Sequence, residues 1–383
     1  MAVLPGCAYV DSVQSRYDNV NRNAAQARNE SILLNIVRAG DNAPLNFVAF
    51  SRVTAVTSAS GNLALPTFAL GPDPAPVSLQ RVATVGDRAL GSSSNVQNSM
   101  DLTILDSHDF YSALLSPVDL PTLSYFVRQG YSRELLFRLF TDSVRARVGG
   151  KDYEFPNDPA QSCQPGSKIP TCFDDMVAIA VASGLTAETR IEQAPSTGKK
   201  KGAGTADAPR YITFGRLCFD PVLAARARRE YSSDIFGKLL AAPGAHRPQC
   251  RSKSWPKQTV DGSSDTLTFD LPQTRLGPIH FEIITRSTFG IYQFLGRMLA
   301  RGTIENMQME PRLDVTEDRR LLTLNAGAPG GCFAETSYRG VHYCVPEDGA
   351  EQTKRIFSLL AQLLALKTQS GDLAITPTVR VTQ

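Results

Sequence analysis

The placement of the cysteines is the feature that most constrains how this chain can fold. Six of the seven cysteines fall into consecutive pairs that close loops: Cys163 with Cys172, Cys218 with Cys250, and Cys332 with Cys344. Six cysteines allow fifteen connectivities, and the sequential one is predicted because the first pair flanks a short loop and the last a hairpin. An even set is typical of an oxidising compartment, whereas six reduced, buried thiols would fit a cytosolic protein.

The remaining cysteine, Cys7, stands apart from these pairs. It ends the segment Leu4-Pro5-Gly6-Cys7, which resembles the lipobox where bacterial lipoproteins are cleaved and lipidated. Pro5 fits that motif poorly, and the alternative is a cysteine without a special role. Residues 1–7 are therefore predicted to be a signal remnant with its lipobox, and Cys7 the lipidated residue.

Composition narrows the function classes. The chain has 383 residues, of which 42% are hydrophobic and 20% charged, so it is long enough for two or three domains with a sizeable core. Its 40 basic and 37 acidic residues leave a net charge of +3, too balanced for a nucleic-acid-binding protein. The longest apolar stretch, from Met176 to Leu185, has about half of the roughly twenty residues that a membrane-spanning helix needs.

Residues 8–45 are predicted to form an N-terminal helix. Apolar residues recur at intervals of three and four between residues 11 and 39, and Gly40 ends the pattern. The first half has only a thin apolar stripe and should lie on a surface or a partner, whereas the run from Ile32 to Val37 should enter the core.

Residues 46–105 are predicted to form an extended, β-rich arm of two segments. Val, Thr, Ser, Ala and Gly dominate from Phe47 to Leu105, with a break at residues 71–76. The inside and outside positions alternate poorly, which leaves either a loop-like excursion or strands that are completed by neighbouring subunits.

The rest of the chain is predicted to be a helical block over residues 106–150 and a disulfide-braced body over residues 151–383. The block holds helices over 107–115, 120–129 and 132–147, with Gly149 and Gly150 as the stop. In the body the sequence predicts a Pro-rich loop over 151–171, helices over 173–183, 287–301 and 351–367, strands over 186–191, 210–218, 266–270, 279–285 and 321–325, a hairpin over 333–345, and an edge strand over 373–381. This mixture of hairpins and helices indicates an α+β fold.

His280 and Glu282 are the main candidates for catalysis. They lie two residues apart in a predicted strand, so their side chains share one face and could transfer a proton; the alternative is the solvent-facing half of an amphipathic strand. Trp255 lies among basic residues and could stack on a ligand, or pack as a half-buried loop aromatic. The four histidines are scattered, without carboxylate partners at ligand spacing, so no metal site and no cofactor is predicted.

The chain resembles uncharacterised bacterial envelope lipoproteins. The resemblance spans most of the chain and lies in Leu33–Arg38, the segment from Leu115 to Gly130, Arg286–Tyr292 and the segment from Leu359 to Val381. That family has no assigned activity, so the resemblance implies lipid anchoring and an envelope location but no catalytic residue.

Together these observations predict a non-enzymatic, lipid-anchored protein of the bacterial outer membrane, facing the periplasm or the cell surface. It is expected to self-associate into a structural assembly through the helix and the arm, with other envelope proteins as further possible partners and no nucleic acid. The alternative is a periplasmic hydrolase or ligand-binding protein with a site near His280, Glu282 or Trp255.

Overall fold

Helices and strands are mixed along the chain, which makes the protein α+β. The structure is a computed structural model that describes residues 13–62, 91–158, 172–193, 211–230, 249–251, 266–271, 279–301, 321–326, 331–368 and 379–382. The helices in these ranges are α1 Val13–Gly40, α2 His108–Leu115, α3 Leu120–Arg128, α4 Arg133–Phe140, α5 Phe173–Ala182, α6 Pro221–Glu230, α7 Thr288–Ala300 and α8 Glu351–Lys367.

The strands pair in antiparallel ladders that form separate sheets, in the orders β1-β2-β12, β4-β3-β8-β7, β5-β6 and β10-β11-β9. Their bounds are β1 Val48–Asn62, β2 Gly91–Ile104, β3 Thr141–Val148, β4 Lys151–Pro156, β5 Leu185–Gln193, β6 Tyr211–Phe219, β7 Thr266–Leu271, β8 Ile279–Thr285, β9 Asn325–Ala326, β10 Cys332–Tyr338, β11 Val341–Pro346 and β12 Val379–Thr382.

The chain divides into two compact units. The arm unit comprises residues 1–20, 47–105 and 370–383, and the body comprises residues 21–46 and 106–369. In the arm unit β1 and β2 form one long antiparallel hairpin, and β12 pairs with β2 as an edge strand, as the sequence predicts for the C-terminal segment.

The loop-like alternative for the arm is wrong for the described residues, whereas completion of its strands by neighbouring subunits stays a prediction. The two segments pair with each other, from Val48 opposite Ile104 to Asn62 opposite Gly91. A register shift between Phe50 and Arg52 interrupts this ladder. Because one extra residue in a strand reverses which face the following side chains occupy, such a shift also weakens the alternation in the sequence.

In the body, α1 is buried where its sequence becomes apolar. Ile32, Leu33 and Ile36 are at most 1% exposed, whereas Asn21 and Asn23 are exposed. The prediction that only the second half of this helix enters the core is therefore confirmed. Helices α2, α7 and α8 contribute to the same hydrophobic core through Phe110, Leu114, Ile291, Phe294, Ile356 and Phe357.

The four-stranded sheet of the body is amphipathic. Along β8 the residues alternate between buried and half-buried, with Phe281 and Ile283 in the core and His280 and Glu282 on the opposite face. The buried face packs on α5, which the sequence predicts correctly over residues 173–183.

The predicted helix over residues 132–147 is wrong in its second half. The helix ends at Phe140, and β3 begins at once with Thr141, without a connecting loop. Leu136, Phe140 and Val144 fit a helical spacing, but Val144 and Ala146 are buried as alternate residues of a strand. Since both periods include Val144, the sequence pattern alone did not separate them.

Two buried side chains bind the backbone at this helix–strand junction. Asn157 donates through Nδ2 to the carbonyl oxygens of Arg138 and Thr141, at 2.7 and 2.8 Å. Arg286 donates through Nη1 to the carbonyl oxygens of Arg138 and Leu139, at 3.1 and 3.4 Å. These donors satisfy the carbonyl groups that a helix leaves free in its last turn, so the chain can turn directly into a strand.

Three further expectations for the body need correction. Residues 151–156 belong to β4 and not to a loop, because Gly149 and Gly150, with φ of 55° and 80°, form the turn of a β3–β4 hairpin instead of a helix stop. The strand expected over 321–325 is reduced to Asn325–Ala326, since Leu321 and Leu322 are buried outside any ladder among the described residues. Helix α6 was not predicted at all.

Candidate functional site

The edges of the arm sheet are the first candidate for function. Strand β12 covers only four residues of β2, from Val379 opposite Leu102 to Thr382 opposite Ser99. The part of β2 from Gly91 to Asn98 therefore has no strand on its second edge within the described residues, and neither has the outer edge of β1.

Within the ranges that the structure describes, no further strand pairs with these two edges, which run over a considerable length. Fourteen residue pairs join β1 and β2, which corresponds to a ribbon of about 48 Å at about 3.4 Å per residue. Free N–H and C=O groups along a strand are a template for another strand. A further strand can therefore pair with the outer edge of β1 and another with the second edge of β2.

The second candidate is the charged face of the four-stranded sheet. The register aligns Asp152, Arg147, His280 and Asp270 in one row across β4, β3, β8 and β7. The next row contains Glu154, Arg145, Glu282 and Thr268. Acidic and basic side chains thus lie next to each other across the strands, which is the arrangement that stabilises neighbouring strands.

His280 lies between two carboxylates in this face. Its Nδ1 is 2.6 Å from Asp270 Oδ1, and its Nε2 is 3.5 Å from Glu282 Oε1. The expectation that the histidines lack carboxylate partners is therefore wrong for His280. Sequence reasoning missed Asp270 because the partner of a strand is not fixed by its own sequence, although both strands were predicted.

This geometry does not favour His280 as a general base. A general base needs a ring nitrogen whose lone pair faces the substrate, whereas each nitrogen of His280 faces a carboxylate oxygen. The His280 side chain is 39% exposed and lies with its charged neighbours on the outer face of the sheet. The structure therefore agrees with the solvent-facing half of an amphipathic strand, the simpler of the two interpretations.

Arg147 and Asp152 form the other strong pair of this face. Arg147 Nε donates to Asp152 Oδ1 at 2.6 Å, and Nη2 donates to Oδ2 at 3.1 Å. This two-point hydrogen bond from Arg147 lowers the pKa of Asp152 and raises the pKa of Arg147. Because sequence analysis placed Arg147 in a helix, it could not find this pair.

Two of the predicted disulfides are present. Cys218 is bonded to Cys250 and Cys332 to Cys344. Cys172 is also disulfide-bonded, but its predicted partner Cys163 lies outside the described residues. Cys7 and Trp255 lie outside them as well, so lipidation and ligand stacking stay predictions.

Both disulfides have potential metal ligands beside them. Among the described residues, one group is Glu188 with Cys218 and Cys250, and another is Cys332 with Glu335 and His342. In each group the ligand atoms lie within 4.8 Å of one another. Sequence analysis did not foresee either group, because residues distant in sequence come together only in the folded chain.

None of the helices in the described part of the chain is both long and apolar enough to cross a membrane. No protein-family model matches the chain, and neither a curated protein nor a solved structure matches it.

Proposed function

We propose that this chain is a non-enzymatic, lipid-anchored protein of the bacterial outer membrane that self-associates through the arm unit. The observation that carries the proposal is the pair of open edges on the long β1–β2 hairpin. A strand edge of this length is usually covered or blocked in a protein that stays monomeric. A second copy of the same hairpin is the simplest partner of matching length.

The two open edges are different, so the contact is expected to be head to tail. The outer edge of β1 in one copy would pair with residues 91–98 of β2 in the next. A contact between two unlike edges repeats around a ring when the rotation closes. The proposed assembly is therefore a repeating array of copies, a ring where the rotation closes and an open array where it does not, tethered to the membrane through Cys7.

The test of assembly is a deletion that the register makes possible. Thr54 lies opposite Ser99 in the hairpin, so removal of residues 55–98 leaves two chain ends that a short Gly/Ser linker can join. The shortened hairpin keeps residues 99–102, which pair with β12. We expect light scattering in detergent to give an oligomer for the full chain and a monomer for the deletion.

A pair of proline variants provides a matched control. Consecutive residues of a strand direct their N–H groups alternately toward the paired strand and away from it. Of Val56→Pro and Thr57→Pro, one variant should therefore lose an outward N–H and keep the hairpin, while the other disrupts the hairpin. We expect the variant that loses only an outward N–H to be a monomer with native circular dichroism. A monomeric full-length protein at micromolar concentration, or two proline variants that both remain oligomeric, would refute self-association by these edges.

Anchoring is tested separately from assembly. Cys7→Ser should move the protein from the membrane fraction to the soluble fraction, because one acylated cysteine supplies the proposed tether. The intact mass of the native protein should show the acyl addition. A native mass without it would contradict anchoring and leave the assembly proposal standing.

A further inference from the structure

The β10–β11 hairpin carries four potential metal ligands on one face. Cys344 and His342 are two residues apart on β11, so they share a face, and Glu335 lies directly opposite Cys344 on β10. Cys332 is three residues from Glu335 and would face the other side in a regular strand. A register shift between Cys332 and Ala334 changes this, and the sulfur atoms of Cys332 and Cys344 meet in the disulfide.

Three of the four ligand atoms are already close together, and the fourth, Cys344 Sγ, is bonded to Cys332 Sγ in the disulfide. One atom each from Cys332, Glu335 and His342 lie within 4.8 Å of one another, and Glu335 Oε2 is 3.6 Å from His342 Nε2. Ser337 lies on the other side of the imidazole, with its Oγ 3.4 Å from Nδ1. A partner on one ring nitrogen turns the other toward a metal, as is common for histidine ligands.

We propose that this hairpin is a zinc site that opens when the Cys332–Cys344 disulfide is reduced. The ligands would be the two thiolates, His342 Nε2 and one oxygen of Glu335. Sulfur, imidazole nitrogen and carboxylate oxygen are the ligands that Zn²⁺ takes in four-coordinate sites. Disulfide and metal exclude each other, because the same two sulfur atoms form either the S–S bond or the bonds to zinc.

Opening the Cys332–Cys344 disulfide requires a two-electron reductant, for which a phosphine serves. A water-soluble phosphine attacks the disulfide and is oxidised to the phosphine oxide with an oxygen atom from water, and the S–S bond breaks to give two thiols. Zinc then displaces one proton from each thiol and binds both sulfur atoms. The exposed position of Glu335 leaves the metal a route from solvent.

The other disulfide provides a comparison within the same chain. Glu188 lies near Cys218 and Cys250, but it forms an ion pair with the buried Arg216 and accepts a hydrogen bond from the backbone N–H of Arg251 at 2.9 Å. The guanidinium would repel a bound cation, and no histidine belongs to the group. Reduction of this disulfide is therefore not expected to create a zinc site of similar strength.

The experiment uses the full chain, reduced with the phosphine and freed from it under anaerobic conditions. Zinc binding is measured by competition with a chromophoric chelator, and cobalt(II) serves as a spectroscopic probe of tetrahedral thiolate coordination. We expect about one zinc per chain after reduction and none at this site in the oxidised protein. His342→Ala should weaken binding by about tenfold or more, while Cys218→Ser with Cys250→Ser should leave it unchanged.

The zinc site does not depend on self-association, and zinc binding is measured independently of the oligomeric state. Equal zinc binding by the reduced wild type and His342→Ala would overturn it, since thiols of an unfolded or unrelated segment would then suffice. Loss of binding in the Cys218 and Cys250 double variant would assign the metal to the other disulfide. Absence of the tetrahedral cobalt spectrum in the reduced wild type would also refute the site.

Discussion

Three arginine side chains are buried among the described residues of the body, Arg138, Arg216 and Arg286, and each is held by hydrogen bonds or ion pairs. Arg138 pairs with Glu134 and Asp174. Burial opposes its charge, but these two carboxylates outweigh burial and keep the pKa of Arg138 above its ordinary value. Burial of Arg286 lowers its pKa to about 10, with Asp142 acting in the opposite direction, so it stays charged at neutral pH.

The first prediction concerns Arg286. Its guanidinium donates to Asp142 Oδ1, to the carbonyl oxygens of Arg138 and Leu139, and to the carbonyl oxygen of Asn157. A lysine cannot reproduce this planar set of donors, and buried acceptors that lose a partner are costly. Arg286→Lys should therefore lower the free energy of unfolding of the body by about 2–4 kcal/mol, measured by chemical denaturation.

The control for this prediction lies on the charged sheet face. Arg145 pairs with Glu154, and both side chains are more than half exposed. Arg145→Ala should change the free energy of unfolding by less than about 1 kcal/mol, because exposed ion pairs contribute little. Equal losses in the two variants would contradict a special role for the buried guanidinium.

At the scale of elements, the backbones of the end of α1 and the middle of α7 approach each other closely. A Cβ atom on Gly296 would lie 2.6 Å from the backbone carbon of Ala39. A Cβ atom on Gly40 would lie 2.7 Å from the carbonyl oxygen of Gly296. Small residues on both helices let the two backbones meet, and the buried half of α1 depends on this.

The second prediction is that Gly296→Ala destabilises the body. The atoms in the way belong to the backbone of α1 and cannot rotate aside, so the helices must separate at a cost of about 1–3 kcal/mol. Gly290→Ala in the same helix is the control, since its Cβ would be 3.4 Å from Ser287 Oγ. Replacement of a helical glycine by alanine is otherwise favourable by about 1 kcal/mol. Thermal unfolding should rank the proteins Gly290→Ala, wild type, Gly296→Ala, and the reverse order would refute the packing argument.

At the scale of the whole molecule, distant parts of the chain meet in the arm unit. Strand β12 follows the entire body in sequence, yet it pairs with β2 over residues 99–102. The arm unit is therefore completed only when the C-terminal segment is present.

The third prediction is that deletion of residues 379–383 loosens the arm unit but not the body. Backbone amides of Ser99 to Leu102 lose the neighbour strand on one side, so their hydrogen exchange should accelerate. Amides of α8 and of the β10–β11 hairpin should keep their protection. Unchanged exchange over residues 99–102 would show that β12 contributes nothing to this sheet in solution.

The sequence by itself determined the features that depend on neighbours along the chain. The buried half of α1, helices α5, α7 and α8, and the hairpin between Cys332 and Cys344 all follow from local periodicity, capping residues and loop length. The Cys332–Cys344 pair could be predicted for the same reason, since a short loop closes easily, whereas Cys218–Cys250, 32 residues apart, followed from the choice of a sequential connectivity. Local free energy dominates these choices, and the sequence records it directly.

Only the tertiary structure decided the features that depend on distant partners. Residues 141–148 fit a helix or a strand by their own pattern, and they form a strand that pairs with β4 on one edge and β8 on the other, while Asn157 and Arg286 bind carbonyl groups at the end of α4. His280 meets Asp270, and His342 meets Glu335, only once the strands are aligned. Strand register is set by long-range pairing, which no short stretch of sequence encodes, so the ion pairs of the sheet and the ligands around the disulfides became visible only in the folded chain.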